Sequence, residues 1–222
     1  MDSKQPIATL IGDVIGSREH VDRGNLQRSL SAVLNLANER LKPVQPLELA
    51  VGDEFQGGFV DVAAAAQATL LLRLALLVRE AGTDSRYGLG HGEVTVFDQE
   101  RVPVSQDGPG WWSARAAIER TKILADSPRT SFVRACFGPS PEEPGVPPDA
   151  AAVESFLFCR DSIVDRMNDR QRRLLLGLML GSSQAQLAAD EGITQGAVSQ
   201  SLRRSGAFAI DAAHTRLGGT SV

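Results

Sequence analysis

The stretch LELAVGDEFQGGFV, residues 47–60, decides how this chain folds. Apolar and polar residues alternate as far as Gly52, two carboxylates follow, and a second apolar run leaves through Gly57 and Gly58. Alternation broken by turn chemistry predicts two antiparallel strands with Asp53 and Glu54 at or beside the turn. Acids at the tip of an otherwise buried hairpin are placed at a sheet edge, where a second strand can meet them.

The segment IATLIGDVI, residues 7–15, is an almost continuous apolar run, as in a strand buried on both faces. It ends in Asp13, and Gly16 and Ser17 lead on toward a helix. If this strand neighbours the hairpin, Asp13 and Asp53 project from one sheet edge. Two carboxylates there suit magnesium or manganese, hard cations that share their oxygen ligands with substrate phosphates. Glu54 is either a third ligand or faces away, because neighbouring strand residues point to opposite faces. Backbone amides at the start of a helix meet phosphate groups. Gly16, Ser17, Gly52 and Arg115 are therefore the candidate nucleotide contacts.

Around these segments the periodicities continue. Leu26, Leu30, Val33, Leu34, Ala37 and Leu41 recur at three and four residues, which predicts an amphipathic helix from Asp22 to Lys42. A second helix is expected over 61–81, ending at Gly82, and a third over 111–124. RYGLGHGEVTVF, residues 86–97, reads as a strand with Gly88, Gly90 and Gly92 on one face, so that something approaches the sheet closely there. TSFVRACF, residues 130–137, reads as another strand. The order β-α-β-β-α-β-α-β predicts an α+β fold with helices packed on one face of the sheet.

The bulk numbers exclude several classes. With 222 residues, 42% hydrophobic and 23% charged, the chain has the composition of a globular protein. Cys136 and Cys159 stand apart, which argues against a disulfide framework and a zinc site. The most apolar segment, residues 63–78, is broken by Gln67 and Arg73 and falls short of the roughly 20 residues that cross a bilayer. No secretory signal opens the sequence. A cytoplasmic protein without a membrane partner is expected.

The net charge of −4 offers no basic footprint for nucleic acid over the whole chain. Residues 166–206, however, hold six arginines against three acids, a surplus of three, so the remainder carries −7. That asymmetry predicts a basic module on an acidic body. The proline-dense stretch 138–151 is the expected linker, dividing the chain into domains 1–150 and 151–222.

Within the second domain, SSQAQLAADEGITQGAVSQSLRRSG, residues 182–206, has helix-turn-helix dimensions. Ser182 or Ser183 caps the first helix, Ser183 and Gln186 having capping-box spacing, Gly192 makes the turn, Thr194 caps the next helix, and Val198 and Leu202 anchor it. Gln195, Gly196, Ser199, Gln200, Arg203 and Arg204 are left toward solvent. Side chains of this kind read base edges or hold phosphates, with Gln195, Gly196 and Ser199 nearest the bases. One such unit makes too small an interface for tight specific binding, so a homodimer on paired half-sites of DNA is expected.

The blocks IGDVIGS, VGDEFQGGF and YGLGHGEV resemble three signature blocks of class III nucleotidyl cyclases and GGDEF palm-like domains. With DGPGWWSAR added, the pattern is similar to the SatD family, over about residues 7–217. The resemblance implies a ferredoxin-like, nucleotidyl-cyclase-like palm domain with Asp13 and Asp53 as metal ligands, and a small all-α helix-turn-helix domain after it. It also implies head-to-tail pairing. One departure bears on activity: cyclases carry an Asn and, four residues on, an Arg that stabilises the transition state, and Ile118 stands where that Arg belongs. The resemblance then implies a nucleotide site that binds without turnover in a DNA-binding regulator. An active cyclase or related phosphoryl-transfer enzyme with an ancillary helix-turn-helix is the alternative. Trp111 and Trp112 read as packing residues, and His91, with no second metal-type ligand beside it, is not read as a base.

Overall fold

The structure, a computed structural model, describes residues 6–50, 52–98, 104–139 and 150–218. In chain order its elements are β1 (Pro6–Val14), a short 3-10 turn (Ser17–Glu19), α1 (Arg23–Leu41), β2 (Gln45–Leu49), β3 (Phe55–Phe59) and α2 (Val62–Arg79). Then come β4 (Ser85–Glu93), β5 (Thr95–Asp98), β6 (Ser105–Asp107), α3 (Pro109–Asp126) and β7 (Ala135–Pro139). The chain continues with α4 (Ala150–Asp165), α5 (Asp169–Met179), α6 (Gln184–Asp190), α7 (Gln195–Ser205) and α8 (Ala207–Arg216).

The main sheet runs β2-β3-β1-β4-β7, with β1 at its centre. Only the β4–β7 pairing in it is parallel. The hairpin expected from residues 47–60 is β2 and β3, closed by the Ala50 N–H donating to the Glu54 carbonyl at 2.8 Å. Val51 of that hairpin lies outside the described residues. The fold is thus α+β, and the amphipathic helix expected at Asp22 is α1, whose first turn donates to the Asp22 side chain through Asn25 N–H.

Helices cover both faces of the sheet, where the sequence led us to expect one. Ala8, Leu10 and Val14 of β1 join Phe55, Phe59, Tyr87 and Leu89 in the core against α1 and α2. On the other face Ile11 packs with Trp111, Ala114 and Ile118 of α3. The reason lies in β4: a Cβ on Gly88 would collide with the Ala114 carbonyl and the Ile118 amide, and one on Gly90 with the Gly110 carbonyl. The bare strand lets the α3 backbone lie directly on it, so the close approach expected from these glycines is made by the protein's own helix. Thr9 Oγ1 donates to the Gly110 carbonyl at 2.7 Å and Thr121 Oγ1 to the Tyr87 carbonyl at 2.8 Å, fixing α3 on the sheet.

Two strand boundaries also differ. β4 stops at Glu93, and the residues expected to continue it form β5, which pairs with β6 in a separate ribbon. The strand expected over 130–137 starts only at Ala135. Thr130 instead ends α3, its Oγ1 donating to the Leu124 carbonyl at 2.8 Å. A local side-chain donor competes there with the ladder.

α2 is long and apolar enough to cross a membrane by length and composition, but 72% of that window is buried within the protein, against α1, α5 and the sheet. Its one charged interior residue, Arg73, is 1% exposed. Arg73 makes a fork of two bonds to Asp84, both at 2.9 Å, and comes within 3.8 Å of Asp161 and 3.7 Å of Asp165 on α4. Arg160 of α4 returns the contact, donating to the Ala66 carbonyl and Thr69 Oγ1 of α2 at 2.8 and 2.9 Å. The expected domain division at 150 falls on the first residue of α4, and the main buried cluster runs across it from Ala8 to Ile210. Most of the expected linker, 140–149, lies outside the described residues, as do 99–103 of the loop before α3.

α6 and α7 start where their caps predict, and α5 has a capping box of its own. Asn168 with Gln171 and Ser183 with Gln186 form capping boxes on α5 and α6, and Thr194 accepts from Ala197 N–H on α7. Val198 and Leu202 are fully buried.

Candidate functional site at the end of the central strands

β1 and β3 pair antiparallel up to Gly12 opposite Phe55, which brings the hairpin turn alongside the end of β1. There Asp53 Oδ2 accepts the Val14 N–H at 3.3 Å. Asp53 thus bonds to the peptide that follows Asp13, and the two carboxylates, remote in sequence, share one edge. Their contacts divide between the two faces. Asp13 meets Arg86 Nε of β4 at 3.3 Å and Lys122 Nζ of α3 at 3.4 Å. Glu54 receives a fork from Arg115 of α3, both bonds 2.6 Å. Asp53 lies on the other side, in a cleft of about 440 Å³ that it lines with Ser17, Gly52, Arg23 and Gln27.

The α3 side is therefore a lattice of alternating charges. Arg115 is held above its ordinary value by the Glu54 carboxylate bonded to it, with Glu119 and Asp13 adding to the effect. Partial burial pulls Lys122 down, but Glu119 and Asp13 outweigh it and raise it. Both side chains are cations at neutral pH. On the cleft side, Gly16 and Gly52 take the left-handed region at φ 70° and 68°, which a side chain there would strain. Arg23, the first residue of α1, is the cationic member of the cleft, and the sequence reading did not single it out. Its signal was its place immediately after the Asp22 cap, at the first position of the helix.

The sequence candidates sort as follows. Ser17, Gly52 and Asp53 meet in the cleft, while Arg115 is brought to Glu54 on the opposite side. Among the described residues no set of three or more acidic, histidine or cysteine side chains is gathered to hold a metal. Asp53 is the carboxylate that lines the cleft, enough for a magnesium ion that takes most of its oxygens from water and phosphate, whereas Asp13 is turned to Arg86 and Lys122. Ala114 and Ile118 of α3 are fully buried against the sheet. Trp111 is buried in packing as expected, whereas Trp112 is exposed and donates Nε1–H to Asp107 Oδ1 at 2.6 Å. His91 is buried in β4.

On α7, Gln195, Gly196, Gln200, Arg203 and Arg204 are exposed and Ser199 is half-buried. Before α7, Arg173 forks onto Glu191 at 2.6 and 2.8 Å, Arg170 reaches the same carboxylate at 3.4 Å, and Arg172 pairs with Asp169 at 3.3 Å.

A family model described as the SatD family matches residues 7–131. No curated protein matches the chain. Among solved structures, a bacterial light-regulated adenylyl cyclase is 12% identical, with 61% of this chain and 43% of that one covered and a TM-score of 0.46. The guanylyl cyclase Cya2 is 15% identical over 53% of this chain and 71% of that one, with a TM-score of 0.40. The adenylyl cyclase CyaB from P. aeruginosa is 17% identical over 56% and 82%, with a TM-score of 0.37. These are likenesses of chain course and say nothing of activity.

Proposed function

The chain belongs to the SatD family, and from that premise we propose a cytoplasmic DNA-binding transcriptional regulator whose sheet domain binds a nucleotide. Asp53, in the cleft, would hold a magnesium or manganese ion with the nucleotide's phosphates, Asp13 joining it only by exchanging Arg86 and Lys122 for the ion, and Gly16, Ser17 and Gly52 would offer their backbone to the phosphates. Arg23 adds a positive charge on the same side. Arg115, held by Glu54 on the α3 side, stands away from this cleft and is left out of the nucleotide set. When bound, the metal would neutralise phosphate charge; the side chains of this chain hold and orient.

The observation that carries the nucleotide half is the bond from Val14 N–H to Asp53 Oδ2, beside a cleft of about 440 Å³. It supports two carboxylates and a glycine turn meeting at one strand end. Burial of Ile118 favours binding without turnover, since the transferring phosphoryl would lack its guanidinium. For the DNA half, the support is the exposed set on α7, two helices joined by a tight turn at Gly192, and the local surplus of arginine. Gln195, Gly196, Ser199 and Gln200 would approach base edges, and Arg203 the backbone. A homodimer would present two such helices to half-sites one helical turn apart.

Two measurements test the proposal on the full chain. Calorimetry with nucleoside triphosphates and magnesium should show binding that Asp53→Asn weakens at least tenfold, while the amide still accepts from Val14. Duplex DNA selected from random sequence should bind with a salt dependence whose slope falls by about one in Arg203→Ala. Cyclic or dinucleotide product from the triphosphate would replace binding with catalysis. Absence of both triphosphate and DNA binding would sink the reading.

A further inference from the structure

The six arginines between residues 166 and 204 fall into two groups. Arg170, Arg172 and Arg173 are taken up by Glu191 and Asp169. Arg166, Arg203 and Arg204 make no ion pair among the described residues; Arg166 Nε donates only to the carbonyl of Ser162, one turn back on α4. The two neighbours on α7 do not serve one surface, because successive helical residues point about 100° apart. Arg203 shares the stripe of Gly196, Ser199 and Gln200, at helical spacings of three, four and seven residues. Arg204 turns aside into a cleft of about 450 Å³ between α4, α5 and the end of α7, lined also by Arg166, Ile163, Met167, Gln171 and Gly206.

No acidic residue lines this cleft, and its two guanidinium groups come from different helices. Its walls are fixed: Met167 is buried, and a Cβ on Gly206 would already touch Ile163 of α4 at 3.0 Å. Two exposed guanidinium groups line this cleft with no carboxylate among its lining, so an anion entering it meets positive charge from two sides. Guanidinium groups suit phosphate, whose oxygens accept paired N–H bonds. We infer that the cleft between α4, α5 and α7 binds a phosphate group, held by Arg166 and Arg204. This site is separate from the one at Asp13 and Asp53 and from the outward stripe of α7. It lies at the far end of α7 from Gln195, about 16 Å along the helix. The phosphate belongs either to a nucleic-acid backbone passing this end of the helix or to a small phosphorylated molecule.

The experiment uses the full chain as wild type, R166Q/R204Q and R203Q. Each is titrated calorimetrically with inorganic pyrophosphate and, over a salt series, with duplex DNA. The exposed positions predict unchanged melting of the free proteins. Supporting results are a loss of at least tenfold in pyrophosphate affinity in the double variant but not in R203Q, or a weaker hold on DNA with a salt slope shallower by about two. The first alone assigns the phosphate to a small molecule, and the second assigns it to DNA. If the wild type binds pyrophosphate but no DNA, the regulator reading falls and the cleft stands. A double variant indistinguishable from wild type in both titrations, whether both bind or neither, overturns the inference.

Discussion

Asp84→Asn should unfold this protein more readily than any surface change near it, and the structure supplies the size of the effect. Asp84 receives Arg73 Nε and Nη2 at 2.9 Å, Arg134 Nε at 2.8 Å, and its own neighbour's N–H, from Ser85, at 2.8 Å. An amide of the same shape keeps the Ser85 bond and loses the charge. Arg73, 1% exposed, would then face only Asp161 at 3.8 Å and Asp165 at 3.7 Å. Removing one partner of a buried pair costs about 3–5 kcal/mol, because the other charge is stranded. For a chain of this size each kcal/mol moves the midpoint by about 2–4 °C, so a fall of about 6–20 °C is expected at pH 7.

The pH dependence has a definite sign. Burial pushes Asp84 upward, but Arg73 and Arg134 outweigh it and hold the carboxyl below its ordinary value. Its contribution is therefore present above the unfolded value, about 3.9, and is lost as the pH falls through the lower folded value. The gap between wild type and Asp84→Asn in circular-dichroism melting should narrow below about pH 4. Arg73→Met added to Asp84→Asn should recover part of the loss, since no buried charge is then left alone. Equal midpoints at pH 7, or a gap that persists on acidification, would refute the reasoning. The perturbation also reaches the site, because the Asp84 carbonyl accepts the Ile15 N–H at 2.9 Å, two residues beyond Asp13.

Other outcomes follow from the same geometry. Gly88→Ala should destabilise by about 1–3 kcal/mol in urea unfolding, since its Cβ meets α3 backbone rather than a side chain that can turn away. Tyr87 is the only tyrosine, and burial pushes its hydroxyl, bonded to Ser85 Oγ at 2.6 Å, well above the ordinary value. Absorbance at a tyrosinate wavelength should therefore stay flat in alkali until the protein unfolds, with stability falling above about pH 10, where only the unfolded tyrosine ionises. Glu191→Gln removes the carboxylate that Arg170 and Arg173 share across the α6–α7 turn. It should cost about 1 kcal/mol or less in thermal melting, because both arginines are largely exposed.

Local pattern carried much of this protein in its sequence. The β2–β3 hairpin followed from alternation around Gly52, α1 from the three-and-four spacing of its leucines, and the starts of α6 and α7 from caps lying within three residues of the groups they satisfy. That Asp13 and Asp53 belong to one edge was legible because both end apolar runs of strand character. These features depend on contacts between near neighbours, or on a period, and both are written along the chain.

What lay beyond the sequence depended on partners distant along it. The glycines of β4 announced a close approach, but only the packed structure shows that α3 makes it, putting helices on both faces. Asp13 and Glu54 turn to the cations of α3 while Asp53 turns to the cleft with Arg23, a division set by the twist and pleat of strands once paired. Adjacent arginines 203 and 204 look alike in sequence and diverge because a helix rotates each residue away from the last, one toward solvent and the other toward α4. Sequence declares which residues are charged or apolar; the choice of which charge meets which is a long-range packing outcome, made only when the sheet and helices close around it.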